Sequence, residues 1–177
     1  MPEYYLDIET NAKGAKPDLQ NDEILTIQFQ RLRTKTGEKE GDLTILKSWE
    51  SSEKEILQKF YNTFAPYTPF SFIPIGENLS FDFLMLHNRW KRVGIEVPLE
   101  TLIDHPYIDI KPILVILNEG SFKGASLKKF LGKEGGAKVP EWYAKGDYGA
   151  IEDYIRCEAE DFIQFYQQLK KENRFVC

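Results

Sequence analysis

Residues 3–10, Glu3-Tyr4-Tyr5-Leu6-Asp7-Ile8-Glu9-Thr10, set two carboxylates into a run of tyrosine, leucine and isoleucine. A nearly continuous apolar run suits a central strand covered on both faces. Side chains two apart on a strand share a face, so Asp7 and Glu9 project together near the strand's end. Carboxylates that close repel unless something positive lies between them. A divalent ion is the natural compensator, because hard cations prefer oxygen ligands. An acid-x-acid triplet is common, however, and this one taken alone is also a solvated strand end.

The chain on either side supplies the rest of the sheet. Residues 24–33 alternate and predict a second strand; residues 43–49, after a loop bracketed by Gly37 and Gly41, predict a third. These make an antiparallel three-strand meander. Ser51-Ser52-Glu53 opens a helix carrying Ile56, Leu57, Phe60, Tyr61 and Phe64 at helical spacing, with Pro66 and Pro69 to end it. Residues 70–75 read as a fourth strand, and 81–93 as a helix stopped by Gly94. Residues 109–117 and 127–131 predict short helices, and 151–172 a strongly amphipathic one. Between them, residues 132–149 hold five glycines and Pro140 and read as a loop. The sum is one α/β domain over residues 1–177, a mixed sheet flanked by helices.

Apolar residues at 42% and aromatics at 14% place the chain among globular proteins and exclude a disordered one. A net charge of −5 argues against a protein that coats duplex nucleic acid through phosphate contacts. It leaves open an acidic site that takes up metal before it meets a phosphate. Cys157 and Cys177 cannot form a disulfide framework or a zinc site by themselves, and read as free thiols. The first residues show no basic stretch followed by an apolar run, and the longest aliphatic run, residues 113–117, is far too short to span a bilayer. A cytoplasmic protein without a membrane partner is expected.

Two further segments carry acids in structured places. In Asn78-Leu79-Ser80-Phe81-Asp82 a strand gives way to a helix, with Asp82 in the first helical turn. An acid there also complements the helix dipole. In Tyr154-Ile155-Arg156-Cys157-Glu158-Ala159-Glu160-Asp161, Glu158 falls roughly 40° from Tyr154 around the helix and Asp161 roughly 20° to its other side. Tyrosine and both acids share one stripe, while Glu160 points elsewhere.

Taken in order, these segments resemble the three motifs of the DEDD superfamily of 3′→5′ exonucleases, and most closely its tyrosine-containing subgroup, which includes the proofreading domains of DNA polymerases. The first would be Asp7-Ile8-Glu9-Thr10, the second Asn78 to Asp82, and the third Tyr154 to Glu158. The resemblance spans residues 3 to about 170, and includes Asp109 before a helix and a Ser126-Leu127 helix ending at Gly132. It implies an RNase H-like mixed five-stranded sheet and two divalent ions, Mg²⁺ or Mn²⁺. It also implies hydrolysis of single-stranded nucleic acid from its 3′ end, DNA favoured and RNA possible. By resemblance, Asp7 would bridge both ions, Glu9 and Glu158 would hold the one that activates water, Asp82 would support the second, and Tyr154 would orient the attacking water. The subgroup's third motif ends in aspartate where Glu158 stands. The added methylene shifts a ligand oxygen by about 1 Å, and errors of that size cost about a hundredfold in rate. Asp161 is the substitute for the fourth acid, with register favouring Glu158.

Substrate contacts are suggested by local charge. Residues 120–149 carry six lysines against three acids, with Trp142, Tyr143 and Tyr148 interleaved. Basic groups with stacking rings hold single strands, so Lys145 and Trp142 are candidates, as are Asn78, Leu79 and Phe81 beside the second motif. Aromatics in such a loop equally often tuck into the core. His87 and His105 lie far ahead of the last helix and fit no base or ligand position. Two other readings remain: an RNase H-like nuclease that cuts internally, and a weakly active or inactive nucleic-acid-binding module, which the departure at Glu158 would favour.

Overall fold

A computed structural model describes residues 1–14, 17–64, 70–132 and 136–172. Five strands form one sheet in the order β3-β2-β1-β4-β5: β1 is Glu3–Thr10, β2 Ile24–Leu32, β3 Thr44–Lys47, β4 Ile73–Gly76 and β5 Ile108–Asp109. β1, β2 and β3 form the expected antiparallel meander, while β4 and β5 add in parallel on the other side of β1. The strand holding the first two acids is therefore central.

Alternation along β1 sorts its side chains between two layers. Leu6 and Ile8 join a core with α1 (Glu53–Phe64) and α2 (Leu79–Arg92). Here Phe60, Phe64, Phe72 and Trp90 pack ring against ring, and Trp90 donates its indole N–H to Leu57 O at 3.0 Å. Losing a ring this large from such a core costs about 3–5 kcal/mol. The opposite face, with Tyr5, Asp7 and Glu9, looks toward α7 (Tyr148–Glu172). That helix buries Ile155, Ala159, Phe162 and Ile163 against the sheet.

The sequence expectations need correction in several places, including the fourth strand, which is Ile73–Gly76 and not 70–75, and the last helix, which starts at Tyr148 and not 151. Residues 132–149 are not all loop: α6 runs Val139–Lys145, because Pro140 suits a first helical turn and Gly146, at φ 71°, ends the helix in the left-handed conformation. A short helix, α3 (Leu99–Ile103), was not foreseen. Asp109 belongs to β5, and α4 begins after it at Lys111, ending at Leu117. The third strand stops at Lys47, where a 3₁₀ turn takes Ser48–Glu50. The serine start of α1 holds, since Glu55 N–H donates to Ser52 Oγ at 3.2 Å. Pro66, Pro69 and Cys177, given roles above, lie outside the described residues. No helix among the described residues is long and apolar enough to cross a membrane.

Candidate active site

The site exists because β1 outruns its neighbour. β4 pairs with β1 only as far as Tyr5↔Ile75 and ends at Gly76, so Asp7 and Glu9 extend past the parallel ladder. A crevice beyond the carboxyl ends of parallel strands is where α/β sheets bind ligands. The chain leaving β4 turns at once into α2. Gly76 permits this tight passage: a Cβ there would meet Leu6 O at 2.7 Å and the Leu79 side chain at 2.6 Å. Asn78 adopts the left-handed region, at φ 64°, and Asp109 holds it there by accepting from Asn78 N–H (2.8 Å) and Leu79 N–H (3.1 Å). The Lys111 N–H adds a third bond at 2.9 Å. This clamp sets where α2 begins, and so where Asp82 sits.

Carboxylate oxygens of Asp7, Glu9 and Glu158 all lie within 4.8 Å of one another. Asp82 stands outside this trio, deeper and only 3% exposed. Burial raises its pKa, and the nearby charge of Asp7 raises it further. Burial, with Glu158 adding to it, pushes the Asp7 carboxyl up to about 8, even though Gln28 Nε2 donates to it at 2.9 Å. Glu9 is raised by burial and by both Glu158 and Asp7. Carboxyls crowded into one pocket with upward-shifted pKa values mark a cation site.

Of the acids beside Tyr154, Glu158 is the one whose carboxylate oxygen gathers with those of Asp7 and Glu9. Its Oε1 lies 2.7 Å from Lys128 Nζ, while its Oε2 is buried with no hydrogen-bond partner. Asp161 lines an adjoining cavity of about 100 Å³. An orphaned buried carboxylate oxygen facing two more carboxylates is the donor set of a hard divalent cation. The residues present therefore fit such an ion. Tyr154 is half-buried beside them, and burial, then Glu9 and Glu158, hold its phenol well above the ordinary range.

A cleft of about 500 Å³ opens onto the acids, walled by Phe81, Ala12, Pro17, Gly136 and Pro140 among others. That volume lies in the range of small-ligand clefts. Phe81 thus reaches the cleft while also packing on the α2-side core. Leu79 does not: it is fully buried against Gly76 and offers no surface to a base. Asn78 is exposed at the turn. Trp142 packs on the α7-side core with its ring 6.0 Å from that of Tyr154, and Lys145 is exposed and paired to Glu141 at 2.6 Å. Both histidines bind backbone carbonyls, His87 that of Val97 and His105 that of Phe72.

Three site residues escaped the sequence reading. Gln28 is opposite Asp7 in the β1–β2 register, and its own Oε1 accepts from Thr26 Oγ1 at 2.9 Å. A polar face of Thr26, Gln28 and Gln30 in an otherwise apolar strand was its signal. In the sequence Lys128 shows only as charge, and Gly136 only as loop.

No known family model matches the sequence, and no curated protein matches it. Solved structures do. A family B DNA polymerase from the hyperthermophilic archaeon Pyrobaculum calidifontis is similar at TM-score 0.67 and 17% identity, over 96% of this chain and 24% of its own. Exonuclease I is similar at TM-score 0.55 and 15% identity, over 77% of this chain and 37% of its own. E. coli exonuclease I solved in complex with an oligonucleotide follows at 0.52 and 12%, over 66% and 30%. The chain thus spans well under half the length of these proteins. At such identities the likeness is one of fold, and the fold is the RNase H-like α/β architecture of the exonucleases: a mixed five-stranded sheet flanked by helices.

Proposed function

We propose that this chain is a metal-dependent 3′→5′ exonuclease of the tyrosine-containing DEDD type, acting on single-stranded nucleic acid, with DNA favoured. The observation that carries the proposal is the meeting of Asp7, Glu9 and Glu158 oxygens within 4.8 Å around an unpartnered Glu158 Oε2. Asp7, Glu9 and Glu158 would hold one divalent ion, and Asp7 with the deeper Asp82 a second. Mg²⁺ or Mn²⁺ bound there supplies a nucleophilic water and neutralises the phosphate. The remaining work belongs to the protein. Tyr154 would orient the attacking water by hydrogen bonding and not serve as a strong base, since an ordinary phenol titrates at about 10. Gln28 fixes the Asp7 carboxylate from behind. Phe81 offers an apolar wall to a terminal base, and the cleft admits one nucleotide unit at a time, in keeping with stepwise release.

The test is release of mononucleotides from a 3′-labelled single-stranded oligonucleotide with Mg²⁺ or Mn²⁺, DNA and RNA in parallel. Asp7→Ala and Asp82→Asn are expected to abolish it. Undiminished activity in either variant would overturn the site. Cutting of a circular substrate would instead identify an internal nuclease.

A further inference from the structure

Lys128 holds a position that the nuclease reading leaves without a task. It belongs to α5 (Leu127–Phe130), a single turn whose Leu127 is buried in the α7-side core and whose Ser126 Oγ accepts from Lys129 N–H. With Leu127 so anchored, Lys128 reaches inward. Its Nζ lies 2.7 Å from Glu158 Oε1, donates to the Tyr154 phenol oxygen and stands 4.8 Å from the centre of that ring. Together with Asp7 and Glu158 it lines both the cleft and the smaller cavity behind it. The ammonium therefore faces the oxygens that a divalent ion would need. An ammonium on Glu158 Oε1 and a dication on its unpartnered Oε2 would stand a few ångströms apart and repel strongly, and a lysine's four-carbon stem lets it move.

We propose that Lys128 is the built-in counter-ion of the carboxylate cluster: in the metal-free protein it pairs with Glu158 and offsets part of the charge gathered there, is displaced by a divalent ion, and then offers its ammonium to the substrate phosphate in the cleft. This rests on the metal-site reading above. It makes metal loading and strand binding two halves of one exchange, since the lysine becomes available to a phosphate only when its carboxylates are otherwise occupied.

The experiment titrates Mn²⁺ calorimetrically into metal-stripped wild type, Lys128→Met and Lys128→Arg. The methionine variant is expected to bind Mn²⁺ about tenfold more tightly, having lost the competing cation. Its metal-free melting temperature falls by roughly 5 °C and recovers with Mn²⁺. The arginine variant stays within about twofold of wild type. With Ca²⁺ bound, a short oligothymidylate carrying a 3′ phosphorothioate linkage binds the methionine variant about fivefold more weakly, one phosphate contact having been lost. A methionine variant that folds only with Mn²⁺ present supports the counter-ion role in its extreme form. Unchanged or weaker Mn²⁺ binding in that variant refutes the counter-ion role, and equal oligonucleotide affinity refutes the transfer to phosphate. A wild type that takes up no Mn²⁺ refutes the metal site itself, an outcome distinct from either.

Discussion

Gly136→Ala separates catalytic geometry from stability. Gly136 begins the 3₁₀ turn Gly136–Lys138 over the acids, at a φ that any residue adopts. An added Cβ would lie 2.9 Å from Glu9 Oε2 and 3.1 Å from the Tyr154 oxygen, whereas ordinary contact begins at 3.4 Å. The carboxylate must retreat by about half an ångström and the phenol by about a third. Both atoms end rotatable side chains, so the fold loses under about 1 kcal/mol and the melting temperature shifts by less than about 4 °C. Catalysis is less forgiving: if about 1 Å of misplacement costs about a hundredfold, half of that costs about tenfold in kcat. Gly76→Ala is the matched contrast. There the Cβ meets the Leu6 carbonyl, a backbone atom in the central strand, so stability falls by about 2 kcal/mol or more. Single-turnover rates on a 3′-labelled oligonucleotide and thermal melts of both variants are the measurements. A folded Gly136→Ala enzyme with wild-type kcat would refute the placing of Glu9 and Tyr154 at the reacting atoms.

The acid that completes the site is separable by charge removal: Glu158→Gln is expected to lose at least about a hundredfold in rate, and Asp161→Asn less than about tenfold, with the reverse order showing that Asp161 is the ligand. Asp109→Ala leaves the amides of Asn78, Leu79 and Lys111 without their acceptor and should destabilise by about 2–4 kcal/mol in a urea melt; a loss under about 1 kcal/mol would show that the turn holds itself. In chelator, stability should fall as pH rises. Asp7 titrates at about 8 folded against 3.8 unfolded, so the native state holds the extra proton: its contribution is whole below about pH 4 and is lost as pH climbs through about 8. Glu9 and Asp82 shift in the same direction. A melting temperature that rises between about pH 5 and about pH 8 in EDTA would contradict this, whereas Mg²⁺ should flatten the decline by favouring the charged carboxylates.

The legible parts of the site were those fixed by a single element's period. Alternation put Asp7 and Glu9 on one face, and helical spacing put Tyr154 and Glu158 on one stripe. The five-stranded sheet was legible only through the resemblance, since four strands carry a pattern and β5, two residues long, carries none. What could not be read depends on tertiary packing. Lys128 is 30 residues from Glu158 and meets it only because a one-turn helix docks through Leu127. Asp109 acts 31 residues back on Asn78. α6 is hidden for a different reason: glycines at both ends and Pro140 read as breakers, yet proline at the start and glycine past the end are what bound a helix.

At least three of the six lysines that make residues 120–149 look like a phosphate-binding patch have side-chain partners. Lys145 is matched by Glu141, Lys129 by Asn118 and Lys128 by Glu158, and Lys133 lies outside the described residues. Under the proposed function, a chain of net charge −5 would nevertheless have to receive a polyanion beside four carboxylates. Fixed side-chain charge is thus a poor source of attraction at this cleft. The deficit is local, and acids answer it better than lysines would, because each carboxylate pair that takes up a divalent ion turns a repelling locus into one that binds phosphate oxygen. An added surface lysine would strengthen binding along the whole strand without distinguishing its end. Cations held among the cleft's acids would, under that function, draw in only the phosphate to be cut. Under the proposed function, acidity at the site and acidity of the whole chain would serve the same end: a strand held where metal is, and weakly elsewhere.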